Sequence, residues 1–326
     1  MNKTEDRVVW VAKDDAMKDQ TINGIHHITA IAGSTQKNVR FYTEILGLRL
    51  VKRTINFDSP DTWHLYYGDE TGSPASVITF FPFRGVTRGK TGNRSLSNTL
   101  YSVGDSSLEF WMSRLKTYQV EYRGPFARFD EKYITFEDFD GLQIELVANS
   151  MDKRTGWRTP GIPAKHSIKG FFSAVLSYGS AEKTLDFLIN QLEHQVLEQT
   201  PERIRLFSGD NKPGNYIDLL SRPSVPGHTP GSGQVHHLAF QVPDEQKQEA
   251  FKQKLEQNGV FTSRVMDRQY FKSIYFREPG GVLFELATSG PGFLKDESLE
   301  NLGTALKLPP WLETDRQSIE ANLDAF

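Results

Sequence analysis

The 326-residue chain contains no cysteine. Disulfides and thiolate metal centres are therefore excluded. There is no excess of charge of either sign. With 38 Lys and Arg against 41 Asp and Glu the net charge is −3, which gives no electrostatic footing for nucleic acid or an anionic membrane. Long apolar runs are missing too, and none approaches the ~20 residues needed to span a bilayer. Residues 1–20 are charged throughout and lack the apolar centre of a secretory signal, so the cytoplasm is the expected location. What remains, 37% hydrophobic and 24% charged, is the make-up of a globular protein long enough for two domains.

Against these absences stand eight histidines, four of them in two pairs, His26-His27 and His236-His237. Each pair lies in a short strand-like run, Gly24 to Ala30 and Gln234 to Phe240. Imidazole is the commonest side-chain metal ligand. A strand that carries it twice points to a repeat fold bringing two imidazoles to one ion.

Four segments, at about residues 24–83, 97–150, 168–222 and 233–290, show one order of signals: an apolar strand, a capped helix, two strands, and a last strand after a glycine. The helical stripes are Val39, Tyr42, Ile45 and Leu46 behind Ser34 or Thr35; Leu108, Trp111 and Leu115 behind Asp105; Leu185, Leu188 and Leu192 behind Ser180; and Phe251 and Leu255 behind Asp244. Gly47 and Gly259 stop the first and last. Gly141, Gly214 and Gly281 each precede a carboxylate by four positions, at Glu145, Asp218 and Glu285; the first segment has Thr79 at that count. A unit of this size cannot bury a sheet face alone. The pattern predicts an α+β fold of four βαβββ modules forming two curved-sheet clefts. It divides the chain into an N-terminal extension (1–20), modules 1 and 2 (22–150), modules 3 and 4 (165–290) and a C-terminal tail (291–326).

Such modules, with metal ligands on first and last strands, resemble the vicinal oxygen chelate superfamily, which includes glyoxalase I and extradiol dioxygenases. More closely, the chain resembles the ring-cleaving hydroquinone 1,2-dioxygenase family from about residue 22 to 315. The resemblance runs through His26-His27-Ile28-Thr29, Val51-Lys52-Arg53-Thr54, His64-Leu65-Tyr66, Asp267-Arg268, Tyr270-Phe271 with Ser273 and Tyr275, and Pro279-Gly280-Gly281-Val282 with Phe284-Glu285. It continues in Leu302-Gly303 and Ala305 to Pro310. It implies His27, His237 and Glu285 as iron ligands and places Tyr275 and Arg268 around the substrate, the first to donate or accept a proton and the second to stabilise negative charge. It also implies His26 and His236 as residues behind the ligands.

Strand alternation also favours the second histidine of each pair. His27 shares a face with Ile25 and Thr29, and His237 with Val235 and Ala239. His26 and His236 share apolar faces with Ile28 and Leu238, expected to pack on the module's helix; only a bulge would bring them to the cleft. If each module offers one residue from its first strand and one from its last, modules 1 and 2 yield His27 and Glu145, and modules 3 and 4 yield His237, Glu285 and Asp218. Only modules 1 and 4 combine two histidines with one carboxylate, Thr79 being a poor fourth ligand. That set is the facial triad of non-haem Fe(II) oxygenases, with Mn(II) a substitute. Module 1 is therefore expected to share a cleft with module 4, and module 2 with module 3. Glu145 and Asp218 are then expected to be structural or a vestigial site, His64 to be structural, and the tail, through Phe293 and the Leu306 to Trp311 segment, to lid the cleft or pack on a neighbouring subunit.

The expected activity is Fe(II)-dependent opening of a hydroquinone-type ring, with an aromatic small molecule and O2 as partners and neither nucleic acid nor membrane. A glyoxalase-type isomerase or lyase would want a fourth, carboxylate ligand. A catechol extradiol dioxygenase would share the triad, and a metal-free binding protein would have no use for the histidine pairs. Ring substituents stay open, as does oligomeric state, a homo-oligomer included.

Overall fold

A computed structural model describes Val8–Val9 and residues 21–326; the rest of the N-terminal extension lies outside the described residues. Each of the four segments folds as strand, helix and three strands. After β1 (Val8–Val9), module 1 comprises β2 (Ile25–Ala32), α1 (Thr35–Val39, continued by a π-helical turn Arg40–Ile45), β3 (Arg49–Asn56), β4 (Ser59–Gly68) and β5 (Val77–Pro82). Module 2 comprises β6 (Ser95–Val103), α2 (Leu108–Thr117), β7 (Tyr122–Arg128), β8 (Glu131–Glu137) and β9 (Gln143–Ala148). Module 3 comprises β10 (Phe171–Tyr178), α3 (Glu182–Asn190), β11 (Gln195–Gln199), β12 (Arg203–Phe207) and β13 (Tyr216–Ser221). Module 4 comprises β14 (Val235–Val242), α4 (Glu245–Gln257), β15 (Met266–Asp267), β16 (Lys272–Arg277) and β17 (Leu283–Thr288).

Ser34 and Asp244 cap α1 and α4, their side chains accepting from the backbone N–H of Lys37 and Lys247. The other two helices begin later than the cap residues suggest. Their caps are Ser107 and Ala181, neither with a side-chain capping bond, and Asp105 and Ser180 precede them in the chain. The glycine before each last strand recurs for a backbone reason: Gly141, Gly214 and Gly281 have φ of +95°, +91° and +98°. Module 1 has Ala75 at the same count, held at φ +63°, in a region costly for any residue with a Cβ.

The strands sort into two sheets. One has eight strands in the order β15-β16-β17-β14-β2-β5-β4-β3, so it unites modules 4 and 1. The other has nine, β1-β11-β12-β13-β10-β6-β9-β8-β7, uniting modules 3 and 2 with β1 added at the edge. In every module the first and last strands are parallel neighbours, and the two modules of a sheet meet through antiparallel first strands, β2 with β14 and β6 with β10. One apolar cluster takes in the inward faces of both sheets and the helices, including Ile28, Phe240, Leu176, Trp111, Leu188 and Phe251. On the opposite face of the eight-stranded sheet a smaller cluster joins Tyr66, Ala239, Phe271 and Phe293.

The tail packs on this chain. Phe293 enters that second cluster, Leu308 and Ile319 pack on Ile55 of β3, and Trp311 meets Phe57 edge-on with ring centroids 5.8 Å apart. No helix among the described residues is long and apolar enough to cross a membrane.

Candidate metal centre and cavity

Register places the polar residues of the 1/4 sheet. On the parallel pairs, Ala239 lies opposite Glu285 and Thr29 opposite Thr79. His237 and His27 each stand two residues before the first member of those pairs and so share its face. Across the antiparallel pairs, Tyr275 is opposite Glu285 and Tyr66 opposite Thr79. The two modules thus present matching sets: His237, Glu285, Tyr275 and Ser273 from module 4, and His27, Thr79, Tyr66 and His64 from module 1.

The β2–β14 pairing has two irregularities, and both fall on histidines. Val235 and His237 pair with Ala30 and Thr29, leaving His236 over; Ala239 and Phe240 pair with His27 and Ile25, leaving His26 over. Each first histidine is therefore a bulged residue. Simple alternation, which turns His26 and His236 toward the helices, fails here because an extra residue breaks the two-residue period. Their rings reach the second histidines instead: His26 Nδ1 is 2.9 Å from His27 Nδ1, and His236 Nδ1 is 2.8 Å from His237 Nδ1.

With the Nδ1 atoms so engaged, the Nε2 atoms face one another. His27 Nε2 is 3.2 Å from His237 Nε2, and these lie 3.4 and 2.9 Å from Glu285 Oε2. Bonds of ~2.1 Å meeting at right angles on one ion would put ligand atoms ~3.0 Å apart. Glu285 is fully buried and its Oε2 has no hydrogen-bond partner, while Ser273 donates to Oε1. An unsatisfied buried carboxylate oxygen is costly, and a cation between it and two imidazole lone pairs would satisfy it. Burial works against ionisation of Glu285, but His27 and His237 hold its carboxyl well below the usual range. Burial lowers His237, takes His26 to about 3 with help from His27, and takes His236 to about 4 with help from His237. His26 and His236 are thus neutral near pH 7, the state in which imidazole can accept a proton.

A cavity of about 250 Å³ opens onto His27, His236 and His237. Its walls include Phe57, Phe81, Phe83 and Phe271, and its polar groups include His64, His236, Arg268 and Tyr275. That volume is below the span of drug-sized pockets and suits one aromatic ring with small substituents. Burial and the charge on Glu285 raise the Tyr275 pKa, so its hydroxyl stays protonated. The Arg268 Nε donates to Tyr275 Oη at 3.2 Å and its Nη2 to Asp58 at 2.9 Å. Phe271 packs on both His26 and His27, with centroids 4.9 and 5.1 Å away. His26 itself is buried behind His27.

Two features escape a reading of local pattern. His64, expected to be structural, lines the cavity, with Nε2 2.8 Å from Thr79 Oγ1 and Nδ1 2.9 Å from Tyr66 Oη. Burial, and next the neighbouring His27, lower its pKa well below the usual value. The signal was there: His64 and Tyr66 alternate onto one face of β4. The second feature is the other cleft. Its corresponding carboxylates, Glu145 and Asp218, are taken up by arginines. Arg128 donates to Glu145 at 2.8 Å, Arg205 to Asp218 at 2.7 and 2.9 Å, and Arg203 to Asp218 at 2.6 Å. Glu131 pairs with both Arg128 and Arg205. Among the described residues, the three-ligand cluster of His27, His237 and Glu285 is the one grouping of metal-ligating side chains.

Paired βαβββ modules around a buried His/His/carboxylate cluster define a class within a known architecture. The profile of the Glyoxalase/Bleomycin resistance protein/Dioxygenase superfamily matches residues 24–146 and 170–286. The chain is 40% identical over 303 residues, 93% of its length and 96% of the relative's, to "Putative ring-cleaving dioxygenase MhqO" of Bacillus subtilis (strain 168). It is 36% identical over 305 residues to the chlorohydroquinone/hydroquinone 1,2-dioxygenase of Sphingobium indicum, covering 90% of this chain and 94% of that one. A crystal structure of a "putative dioxygenase from Bacillus subtilis subsp. subtilis str. 168" superposes with a TM-score of 0.90 at 39% identity, over 94% of this chain and 98% of that one. Glyoxalase I from Zea mays shares the fold, with a TM-score of 0.62 at 16% identity over 84% of this chain and 95% of that one. The chain therefore belongs to the glyoxalase/dioxygenase superfamily and, within it, to the family of ring-cleaving hydroquinone dioxygenases.

Proposed function

We propose that this protein is an Fe(II)-dependent dioxygenase that opens hydroquinone-type rings. The observation that carries the reading is the set of Nε2, Nε2 and Oε2 atoms, 2.9 to 3.4 Å apart, at the base of a phenylalanine-walled cavity. His27, His237 and Glu285 would hold the ion. When bound, it would supply Lewis acidity toward a phenolate oxygen and an electron path from ring to O2. His26 and His236 accept the Nδ1 protons of the two ligand rings and so fix each Nε2 lone pair toward the ion.

The remaining work falls to the cavity. The phenylalanine walls exclude water and admit a flat ring. The charge of Arg268 favours the ionised form of a hydroxyl brought beside it. Tyr275, protonated and fixed by Arg268, donates a hydrogen bond to an oxygen on the ring and is placed to exchange a proton with it. A para-diol needs this help, because only one of its two hydroxyls can reach the ion. The name of one relative, the chlorohydroquinone/hydroquinone 1,2-dioxygenase, supports this substrate class. The test is anaerobic reconstitution with Fe(II) followed by oxygen-uptake measurement with hydroquinone. Uptake that requires the ring and is lost in His237→Ala is expected. A metal-loaded protein that consumes no oxygen with any dihydroxybenzene would refute the reading.

A further inference from the structure

We propose that Asp58 makes this cavity select rings without a carboxylate substituent: it occupies Arg268, the one Arg or Lys among the residues that line the cavity, and so leaves no cation to receive such a group. The inference rests on the reading of the cavity as a site for aromatic diols.

The hairpin between β3 and β4 carries it. Its tip, Asn56, Phe57 and Asp58, lines the cavity. Within the turn, Asn56 Oδ1 accepts from the Asp58 N–H at 3.0 Å. From behind, the tail fixes the hairpin: Trp311 lies on Phe57 with centroids 5.8 Å apart, and Leu308 and Ile319 pack on Ile55. In front, Asp58 Oδ2 is 2.9 Å from Arg268 Nη2, so an ion pair joins module 1 to module 4 at the cavity wall. Arg268 Nε meanwhile donates to Tyr275 Oη at 3.2 Å.

These contacts limit what Arg268 can still do. A guanidinium grips a carboxylate through two parallel N–H bonds, along the edge of Nε with Nη2 or that of Nη1 with Nη2. Both edges need Nη2, where Asp58 already sits. A ring hydroxyl asks for one hydrogen bond, which Tyr275 can supply. A carboxylate on the ring would lose its water between phenylalanine walls, find its cation taken, and meet a second carboxylate beside it. The Asp58 side chain is 61% exposed and that of Arg268 17%. Removing the Asp58 charge therefore costs the fold little and leaves a freed guanidinium in the cavity wall.

The test compares two rings of one shape and different charge, 2,5-dihydroxybenzoate and 2,5-dihydroxybenzamide, with hydroquinone as reference. Calorimetric titration under nitrogen gives the three dissociation constants for each protein. Wild type is expected to bind the amide about tenfold or more tightly than the acid, and Asp58→Asn to shrink that preference about tenfold or more by binding the acid better. Loss of structure does not produce such a gain. Asp58→Glu is expected to keep the wild-type preference, and Asp58→Asn with Arg268→Gln to lose the gain. A preference in Asp58→Asn within threefold of wild type would overturn the inference. So would a gain that survives in the double variant, or wild-type protein that binds acid and amide alike or excludes both while binding hydroquinone. Wild-type protein that binds none of the three rings would overturn the diol reading of the cavity and this inference with it, so the two failures are told apart.

Discussion

Replacing His236 by alanine is expected to weaken metal binding about tenfold while leaving the three ligands in place. For His237 to offer its Nε2 lone pair to an ion, its proton must sit on Nδ1, and His236 Nδ1, 2.8 Å away, is the acceptor. His236 can accept because burial, aided by His237, brings its pKa down to about 4, leaving the ring neutral near pH 7. Removing the acceptor strands a buried N–H, at a cost of ~1–3 kcal/mol, or roughly 5- to 150-fold in a dissociation constant. His236 lines the cavity, so water can enter the vacated space and take the Nδ1 proton; the loss should fall at the low end of that range. Anaerobic titration with a chelator-buffered divalent ion gives the constant directly, and His236→Asn, whose amide oxygen can accept, should recover part of it. With the His236 pKa lowered, the ratio of variant to wild-type constants should stay flat from about pH 6 to 8. A His236→Ala protein within twofold of wild type, or a ratio that collapses across that range, would refute the acceptor role.

Three further outcomes follow from the geometry. Asp218→Asn should destabilise the fold by ~3–5 kcal/mol, because it leaves Arg203 and Arg205 buried beside an uncharged partner, while metal affinity stays unchanged; urea unfolding and a metal titration read the two. Burial opposes the ionised form of Asp218 but Arg205 and Arg203 depress its pKa below the unfolded value. Its contribution is therefore complete above the unfolded pKa of ~3.9 and shrinks as pH falls below it, so the gap between wild type and Asp218→Asn should narrow under pH ~4. Tyr275→Phe should lower kcat for hydroquinone ~10- to 100-fold with metal content intact, measured by oxygen uptake and metal analysis, since it removes the donor that Arg268 holds in place. Ala75→Gly should stabilise the protein by up to ~1 kcal/mol in chemical denaturation, because module 1 alone among the four carries a Cβ at this positive-φ position.

Much of the architecture was legible because the modules repeat backbone requirements as well as apolar stripes. The glycine four residues before Glu145, Asp218 and Glu285 marks a positive-φ turn into the last strand, and each such strand lies beside its module's first strand. What escaped was whatever depends on pairing between distant segments. The bulges at His26 and His236 arise where β2 and β14 are fitted together across more than 200 residues, and no local period announces an extra residue. The place of His64 depends likewise on which strand faces the cavity. The helix starts at Ser107 and Ala181 slipped past Asp105 and Ser180 because a cap is decided by where the chain turns, and several nearby polar residues could serve.

The two clefts fill equivalent positions with different chemistry. At positions equivalent by register, the 1/4 cleft carries His27, Thr79, His237 and Glu285, and the 2/3 cleft carries Asn98, Glu145, Ser173 and Asp218. The second set has two carboxylates and no imidazole, which is more negative charge and fewer neutral donors. It is balanced from within the chain: Arg205 stands at the register position of Tyr275 and Arg203 at that of Ser273, with Arg128 added from β7. Glu131, Glu145 and Asp218 thus face three guanidinium groups. Fixed cations of this kind need no loading and leave no open coordination position at Glu145 and Asp218. In the 1/4 cleft no Arg or Lys among the described residues lies within ion-pair distance of Glu285, and Oε2 has no hydrogen-bond partner among them. The same register position is thus closed by arginine in one cleft and left without a basic partner among the described residues in the other, and on the proposed function that difference would confine chemistry to one side of the molecule.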